Sequence, residues 1–483
     1  MDRVKPSGIR RFLDKSVSNA RRDFNRLIVR DHPFYLVVMG LLTFFSWLVA
    51  APWPKDDLLR DMVAFSYRYD YSKAFVYSPG IPSYDFDIGF DRICGFLYRS
   101  LPWADHAWAV HLVQTAAIIT YVSALLLSLR RVLGLRWGEA GRGWAWLLIA
   151  GLLFAVLSCG GMARVISGRQ EVFLAAWAIA ACAIPTWWAA VLWVGAGVVL
   201  APCYWLSVVY TPAALMLSRR FGWPRALGSF GVLVLVNVVF WHWYSGGTWL
   251  PSLLQLRADI DNRVVGVGED QPIAILLLDP WFWVIAFAFV AALWRDAPSW
   301  LGRQRDLSSI AMVGLIVWFL LPNMVRYEDI VAPLMAIYAA RTLRNQVTRW
   351  PGGDGSVQGG WLVVKGLAVV LLVFSSLGLS GAPRPRVYRF RHPDRHIVLT
   401  PWSSPMYQLL FANPGVQLTP AMELGATTRR VQHMSVRLAD GHLTCASLHG
   451  LRFTDVYEKS LTTVPPCLHL VGIAGPMRMW AVR

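Results

Sequence analysis

The chain has 483 residues, 56% of them hydrophobic and only 16% charged, with a mean hydropathy of +0.44 and a formal net charge of +17. The charge deficit and apolar excess exclude disorder, a coiled coil and an ordinary cytosolic enzyme, and they point to a polytopic α-helical membrane protein. In such a chain net positive charge reports topology before it reports a nucleic-acid partner, because Lys and Arg collect in cytoplasmic loops.

Eleven apolar segments read as spans: 33–51, 108–129, 144–162, 171–184, 186–201, 204–217, 226–244, 280–294, 307–321, 330–340 and 361–380. Several fall short of the ~20 residues that cross a bilayer as a straight helix, so they need interfacial anchors or local thinning. Pro185 and the Thr186-Trp187-Trp188 that follows predict a turn, dividing 171–201 into two helices. Segments 1–32, 130–143, 218–225, 295–306 and 341–360 hold nine, four, three, three and three Lys/Arg. An even number of spans separates each neighbouring pair, so all five share one face. The positive-inside rule then places the N-terminus in the cytoplasm and residues 381–483 outside. The first apolar run follows a long basic stretch and reads as an uncleaved anchor. The Gly-rich stretch 351–360 reads as a flexible cytoplasmic loop.

Three outer segments carry the chemistry. The first, 52–107, holds Asp56, Asp57, Asp61, Asp70, Asp85, Asp87, Asp91 and Asp105 among many Tyr and Phe, and predicts helices lying at the membrane surface. The second, 245–279, carries Arg257, Asp259, Asp261, Arg263, Glu269 and Asp270, which read as ion pairs. The third is the tight loop Asn323–Asp329, with Arg326 beside Glu328 and Asp329. The short loop Arg164–Glu171 faces the same side. Acids and arginines thus meet at one mouth of a helical bundle, where charge is costly unless paired or ligated. The segment Tyr84–Asp91 reads as an amphipathic interfacial helix with its acids facing water, or as a weaker site in which Asp85, Asp87 and Asp91 bind the acceptor or a divalent cation.

Residues 381–483 suffice for one small extracytoplasmic α/β domain, following a membrane domain of 1–380. Strands are expected at 396–400, 416–419, 442–448 and 467–473, helices at 404–412 and 427–438, and alternation at 477–482. Cys445 and Cys467 are its two cysteines, and a disulfide is expected in an oxidising compartment.

No G-x-x-x-x-G-K-[ST], H-E-x-x-H or G-x-S-x-G motif occurs, and the acids face away from cytoplasmic nucleotides. An outward-facing enzyme in a membrane needs an activated donor that is itself membrane-borne, and a lipid phosphate carrying a sugar fits. Its phosphate calls for Arg or Lys, and its acceptor hydroxyl calls for a carboxylate base.

The acidic pair Asp56-Asp57 just after the first span, the late Val325-Arg326-Tyr327 followed by Pro333-Leu334-Met335-Ala336, and Gly168-Arg169-Gln170-Glu171 resemble the GT-C superfamily of integral-membrane glycosyltransferases. The layout is similar to that of protein-mannosyl, aminoarabinose and arabinofuranosyl transferases. The second acid of the pair is Asp where that family often has Glu. The resemblance implies a polyprenyl-phosphate-sugar donor, a glycan, lipid or pilin-like protein acceptor, and an inverting transfer in a bacterial cytoplasmic membrane with a periplasmic C-terminal domain. On that reading Asp57 or Asp56 is the general base, and Arg326, Arg164 and Arg169 hold the donor phosphate. No cofactor is required; a divalent cation is compatible. No nucleic-acid partner is expected. The alternatives are a transporter or flippase of lipid-linked sugar, which would need ionisable or broken-helix sites near the midplane, and a non-catalytic envelope-assembly protein.

Overall fold

A computed structural model describes residues 57–79, 81–100, 106–135, 143–158, 165–181, 187–205, 223–261, 279–300, 328–347, 386–401, 404–420, 427–459 and 461–483, with positions 40, 44, 207 and 314. The expected spans 33–51, 307–321 and 361–380, and most of 204–217, lie outside the described residues.

The acid-rich first loop opens on a single helical turn, α1 (Leu58–Asp61), and closes on α2 (Ile88–Ser100). Eight longer helices follow: α3 (Ala107–Leu133), α4 (Gly143–Ser158), α5 (Gln170–Ala181), α6 (Trp187–Leu200), α7 (Trp223–Tyr244), α8 (Trp249–Asp261), α9 (Pro280–Trp300) and α10 (Glu328–Val347). Among the described residues α3 and Pro224–Tyr244 of α7 are long and apolar enough to cross a membrane, while α5, α9 and α10 contain shorter apolar stretches. α5 and α6 are separate helices, as the turn residues predict, and α9 and α10 run beyond their apolar segments into polar ends.

α3 packs on α5 and α10, and α10 also packs on α4, α5 and α9. The seam rests on buried Ile118, Val122, Leu125 and Leu129 of α3 and on Leu334, Ile337 and Tyr338 of α10. Between helices in lipid such a seam is held by close van der Waals packing rather than by withdrawal from water. Trp177 and Trp193 pin α5 to α6: each indole N–H donates to the other residue's carbonyl, at 3.0 and 2.8 Å, with the rings stacked 4.4 Å apart. α3 ends on Gly134, which adopts the left-handed conformation (φ 71°), and the amides of Gly134 and Leu135 cap the carbonyls of Arg131 and Arg130. By contrast Leu192, Val199, Leu235, Val239, Phe287 and Trp294 on α6, α7 and α9 are exposed. Apolar surface of that extent is unusual in water and suits lipid contact.

The C-terminal segment forms β1 (Ile397–Leu399), α11 (Ser404–Ala412), β2 (Gln417–Thr419), α12 (Arg429–Ala439), α13 (Cys445–His449), β3 (Asp455–Glu458), β4 (Leu468–Ala474) and β5 (Met477–Val482). The sheet order is β2-β1-β3-β5-β4, parallel for β2-β1-β3 and antiparallel for β3-β5-β4. Two expectations differ. Residues 442–448 do not form a strand but lead into helix α13, whose N-cap position is held by Thr444. Strand β3 has no counterpart in the sequence reading, because its four residues are all buried and show no alternation. Cys445 and Cys467 form a disulfide with Cα atoms 5.8 Å apart, joining α13 to the residue before β4.

Candidate active site

Between α1 and α2 the first loop folds back on itself as short helical turns at Ala64–Tyr67 and Tyr71–Lys73. This brings both of its acidic ends together around Arg60. The Arg60 guanidinium is buried and donates to Asp61 Oδ1 at 2.8 Å through Nε and to Asp87 Oδ2 at 3.2 Å. It stands 3.7 Å from Asp57 and lies over the rings of Tyr71 and Phe86, at 4.8 and 5.5 Å. Gln170, the first residue of α5, donates to Asp87 Oδ2 at 2.9 Å. The Tyr71 hydroxyl donates to Asp91, and the amide of Asp87 donates to Asp85 Oδ1 at 2.8 Å. The remaining oxygens, Asp85 Oδ2 and Asp91 Oδ1, are buried without a hydrogen-bond partner.

These acids do not face water. Asp85, Asp87 and Asp91 are fully buried, and the exposed face of α2 carries Ile93 and Phe96 flanked by Arg92 and Arg99. The expected water-facing acids are therefore buried: Asp85 and Asp87 lie in the turn before α2, and Asp91 sits on the helix's buried face with Ile88, Phe90, Cys94 and Tyr98. Four carboxylates cannot all ionise beside one guanidinium in a dry site. Burial pushes Asp61 up to about 7 and Asp85 up to about 6, and it raises Asp87 and Asp91 well above the ordinary carboxylate range. Burial also opposes the charge of Arg60, but Asp61, Tyr71, Asp57 and Asp87 outweigh it and hold the proton.

Asp57 stands apart. Its side chain keeps 19% of its surface in solvent, against 0% for Asp61 and Asp87. Its two oxygens face two cations: Arg60 at 3.7 Å from Oδ1 and Arg169 at 3.4 Å from Oδ2. Arg169 reaches it because Gly168 is left-handed (φ 73°) and side-chain-free. A Cβ there would lie 3.0 Å from Leu58 and 3.2 Å from Gln114. The floor of the site is the segment 201–205, whose Trp205 amide donates to Phe86 O at 2.9 Å with the two rings 5.3 Å apart.

Of the residues singled out in the sequence, Asp57, Arg169, Asp85, Asp87 and Asp91 are brought together here. Asp56, Arg164 and Arg326 lie outside the described residues. The side chains of Arg257, Asp259 and Asp261 lie outside the description of α8, and Arg263 lies beyond it. Arg60 and Tyr71 escaped the sequence reading, and Gln170 entered it only as part of the Gly168–Glu171 motif, without a role. The spacing of Asp57 and Arg60, three apart on one helical face, was the available signal for the first. Among the described residues no group of three or more His, Cys, Asp or Glu side chains is arranged to hold a metal ion.

No protein-family model matches the sequence, and no curated protein matches it in sequence. Among solved structures, ArnT from Cupriavidus metallidurans bound to undecaprenyl phosphate superposes with a TM-score of 0.50 at 13% identity, over 93% of this chain and 98% of that one. The Archaeoglobus fulgidus oligosaccharyltransferase, tethered by a disulfide to an acceptor peptide containing the NVT sequon, gives a TM-score of 0.48 at 11% identity, over 89% of this chain and 69% of that one. The likeness to ArnT gives this chain the polytopic GT-C fold.

Proposed function

We propose that this GT-C-fold protein is a membrane glycosyltransferase that moves a sugar from a polyprenyl-phosphate donor to an acceptor hydroxyl, with Asp57 as general base. The observation that carries the assignment is the contrast in access: among the described carboxylates around Arg60, Asp57 keeps 19% of its side-chain surface in solvent, while Asp61, Asp85, Asp87 and Asp91 are sealed. An acceptor hydroxyl can reach Asp57 and not the others. The fold it shares with ArnT, a protein captured with undecaprenyl phosphate, supports a lipid-phosphate donor.

In the proposed reaction the acceptor hydroxyl gives its proton to Asp57 as its oxygen bonds to the anomeric carbon. The bond from that carbon to the phosphate oxygen breaks, and polyprenyl phosphate departs with the electron pair. A single displacement of this kind inverts the anomeric centre. Arg169, 3.4 Å from the carboxylate, is the described candidate for sharing its charge with the leaving phosphate, and Arg164 and Arg326 are the further candidates for that role. Arg60 stays with the buried acids and fixes the orientation of the turn that carries Asp57. The acceptor is a glycan, a lipid or a pilin-like protein, and the site belongs on the periplasmic face of a bacterial inner membrane.

The test is sugar transfer in nanodiscs from a panel of undecaprenyl-phosphate sugars, with membranes from a strain lacking the protein as acceptor. Wild type should consume one donor. Asp57→Asn should lose ~10²–10⁴ of the rate while undecaprenyl phosphate still raises its melting temperature. Full turnover by Asp57→Asn and by Asp56→Asn would remove the acidic pair from the mechanism.

A further inference from the structure

The C-terminal layer does not sit beside the acid loop; it is woven into it. Leu418 of β2 turns both of its backbone polar groups away from β1 toward the loop. Its amide donates to Ala74 O at 2.8 Å, and its carbonyl accepts from Val76 N at 3.1 Å. Phe75 thereby pairs with Leu418 in a parallel bridge and extends the sheet beyond β2. Side chains reinforce this edge. The Tyr67 hydroxyl donates to Val416 O at 2.7 Å and accepts from Gly415 N at 3.1 Å. Thr419 Oγ1 donates to Val76 O at 2.9 Å, Ser78 and Thr427 share a hydroxyl hydrogen bond at 3.2 Å, and the Tyr77 hydroxyl donates to Leu451 O. Helix α11 packs directly on α1, the turn that follows Asp57, with Met406, Leu409 and Leu410 buried in the same core as Leu58, Leu59 and Met62.

Short contacts link this seam to the site. The ring of Phe75 lies 6.5 Å from that of Tyr71. Tyr71 carries the hydroxyl on Asp91 and the face under the Arg60 guanidinium, and Arg60 stands beside Asp57. A loop that buries four carboxylates and a guanidinium gives up their hydration, which costs several kcal/mol per ion unless the surrounding packing fixes the partners in place. The bundle alone covers one side of the loop, through α5 and residues 201–205. The sheet edge and α11 cover the other.

We infer that the C-terminal layer is a working part of the active site, with Tyr67 and the Phe75–Leu418 pairing positioning Asp57, and not a detachable binding module. This rests on Asp57 being the base. A layer that served only to recruit a partner could be loosened at this seam without touching chemistry. A positioning layer cannot, because loosening lets the loop hydrate, its acids ionise and Asp57 drift from the acceptor.

The experiment compares full-length wild type with a triple variant, Tyr67→Phe, Ser78→Ala and Thr419→Val, which removes four side-chain hydrogen bonds across the seam and leaves the acid cluster intact. Net contributions of such bonds predict amide exchange ~10–100-fold faster in peptides spanning 57–79 and 81–91. Turnover per folded molecule, counted by titration with undecaprenyl phosphate, should fall about tenfold, with the donor KM unchanged. Thr419→Val alone is the milder variant if the triple one does not fold, with the same direction and a smaller change. Unchanged exchange in 57–91, or faster exchange with wild-type turnover per folded molecule, overturns the inference. Asp57→Asn is measured alongside: if it turns over normally, the base assignment has failed, and exchange alone decides whether the layer holds the loop.

Discussion

The guanidinium of Arg169 lies 3.4 Å from the carboxylate of Asp57, so the start of α5 and the start of the acid loop meet through one ion pair at the exposed edge of an otherwise sealed cluster. The contacts with Arg169 and Arg60, at 3.4 and 3.7 Å, hold the carboxylate at that edge.

Arg169→Ala should lower turnover at least tenfold and weaken the rise in melting temperature that undecaprenyl phosphate produces. Arg169→Lys should recover part of both, since an ammonium keeps the charge but not the planar fork. Wild-type turnover and donor response in the Ala variant would show that the ion pair is incidental.

Gly168→Ala should be costly for a small change. The left-handed backbone and the 3.0 Å approach to Leu58 leave no room for a methyl group. The expected loss is ~1–3 kcal/mol of stability, with reduced turnover as Arg169 is displaced. Gly151, on α4, has nothing within 4 Å of the equivalent position, so Gly151→Ala is the control and should melt like wild type or slightly higher.

Stability should depend on pH in a defined sense. Burial raises Asp61 to about 7 and Asp85 to about 6, from 3.8. Between those values the native state keeps protons that the unfolded chain has released, so stability falls as pH rises. The melting temperature in detergent should drop between about pH 4 and 7, from the ordinary carboxylate value to the raised native ones. Asp61→Asn, which mimics the protonated acid, should flatten part of the drop. A flat profile in wild type, or an unaltered slope in the variant, contradicts the buried-acid account.

Replacing both Cys445 and Cys467 by Ser should cost about 3 kcal/mol, the loop-closure contribution for a bridge of this span. Reductant should lower the wild-type melting temperature to the same value and leave the double variant unmoved. Equal melting with and without reductant in wild type would mean the bridge contributes nothing.

Much of the helical scaffold was legible because apolar runs and their polar ends are local properties. The break between α5 and α6 followed from Pro185 and the tryptophans after it. The acids of 52–107 were legible as a feature, but their burial was not. Tyr84-Asp85-Phe86-Asp87 alternates, which reads as one wet and one dry face. What turns Asp87 inward is Arg60 from the other end of the loop and Gln170 from another helix, and Tyr71 holds Asp91; none of these pairings is visible in a local pattern. Residues 442–448 alternate too, yet a helix forms at Cys445–His449, tied by its disulfide to Cys467. The fusion of loop and sheet depends on backbone pairing across more than three hundred residues, which leaves no trace in composition.

That separation has a consequence in time. The hydroxyls of Tyr67 and Thr419 find their acceptors 349 and 343 residues away. At a synthesis rate of ~5–20 residues per second, the loop waits roughly 20–70 s for the strand that completes it. Until then its aspartates are hydrated and ionised, and Arg60 has no dry pocket to enter. A nascent chain therefore carries Asp57 in an unformed setting until residues 415–419 have been made and can pair with the loop.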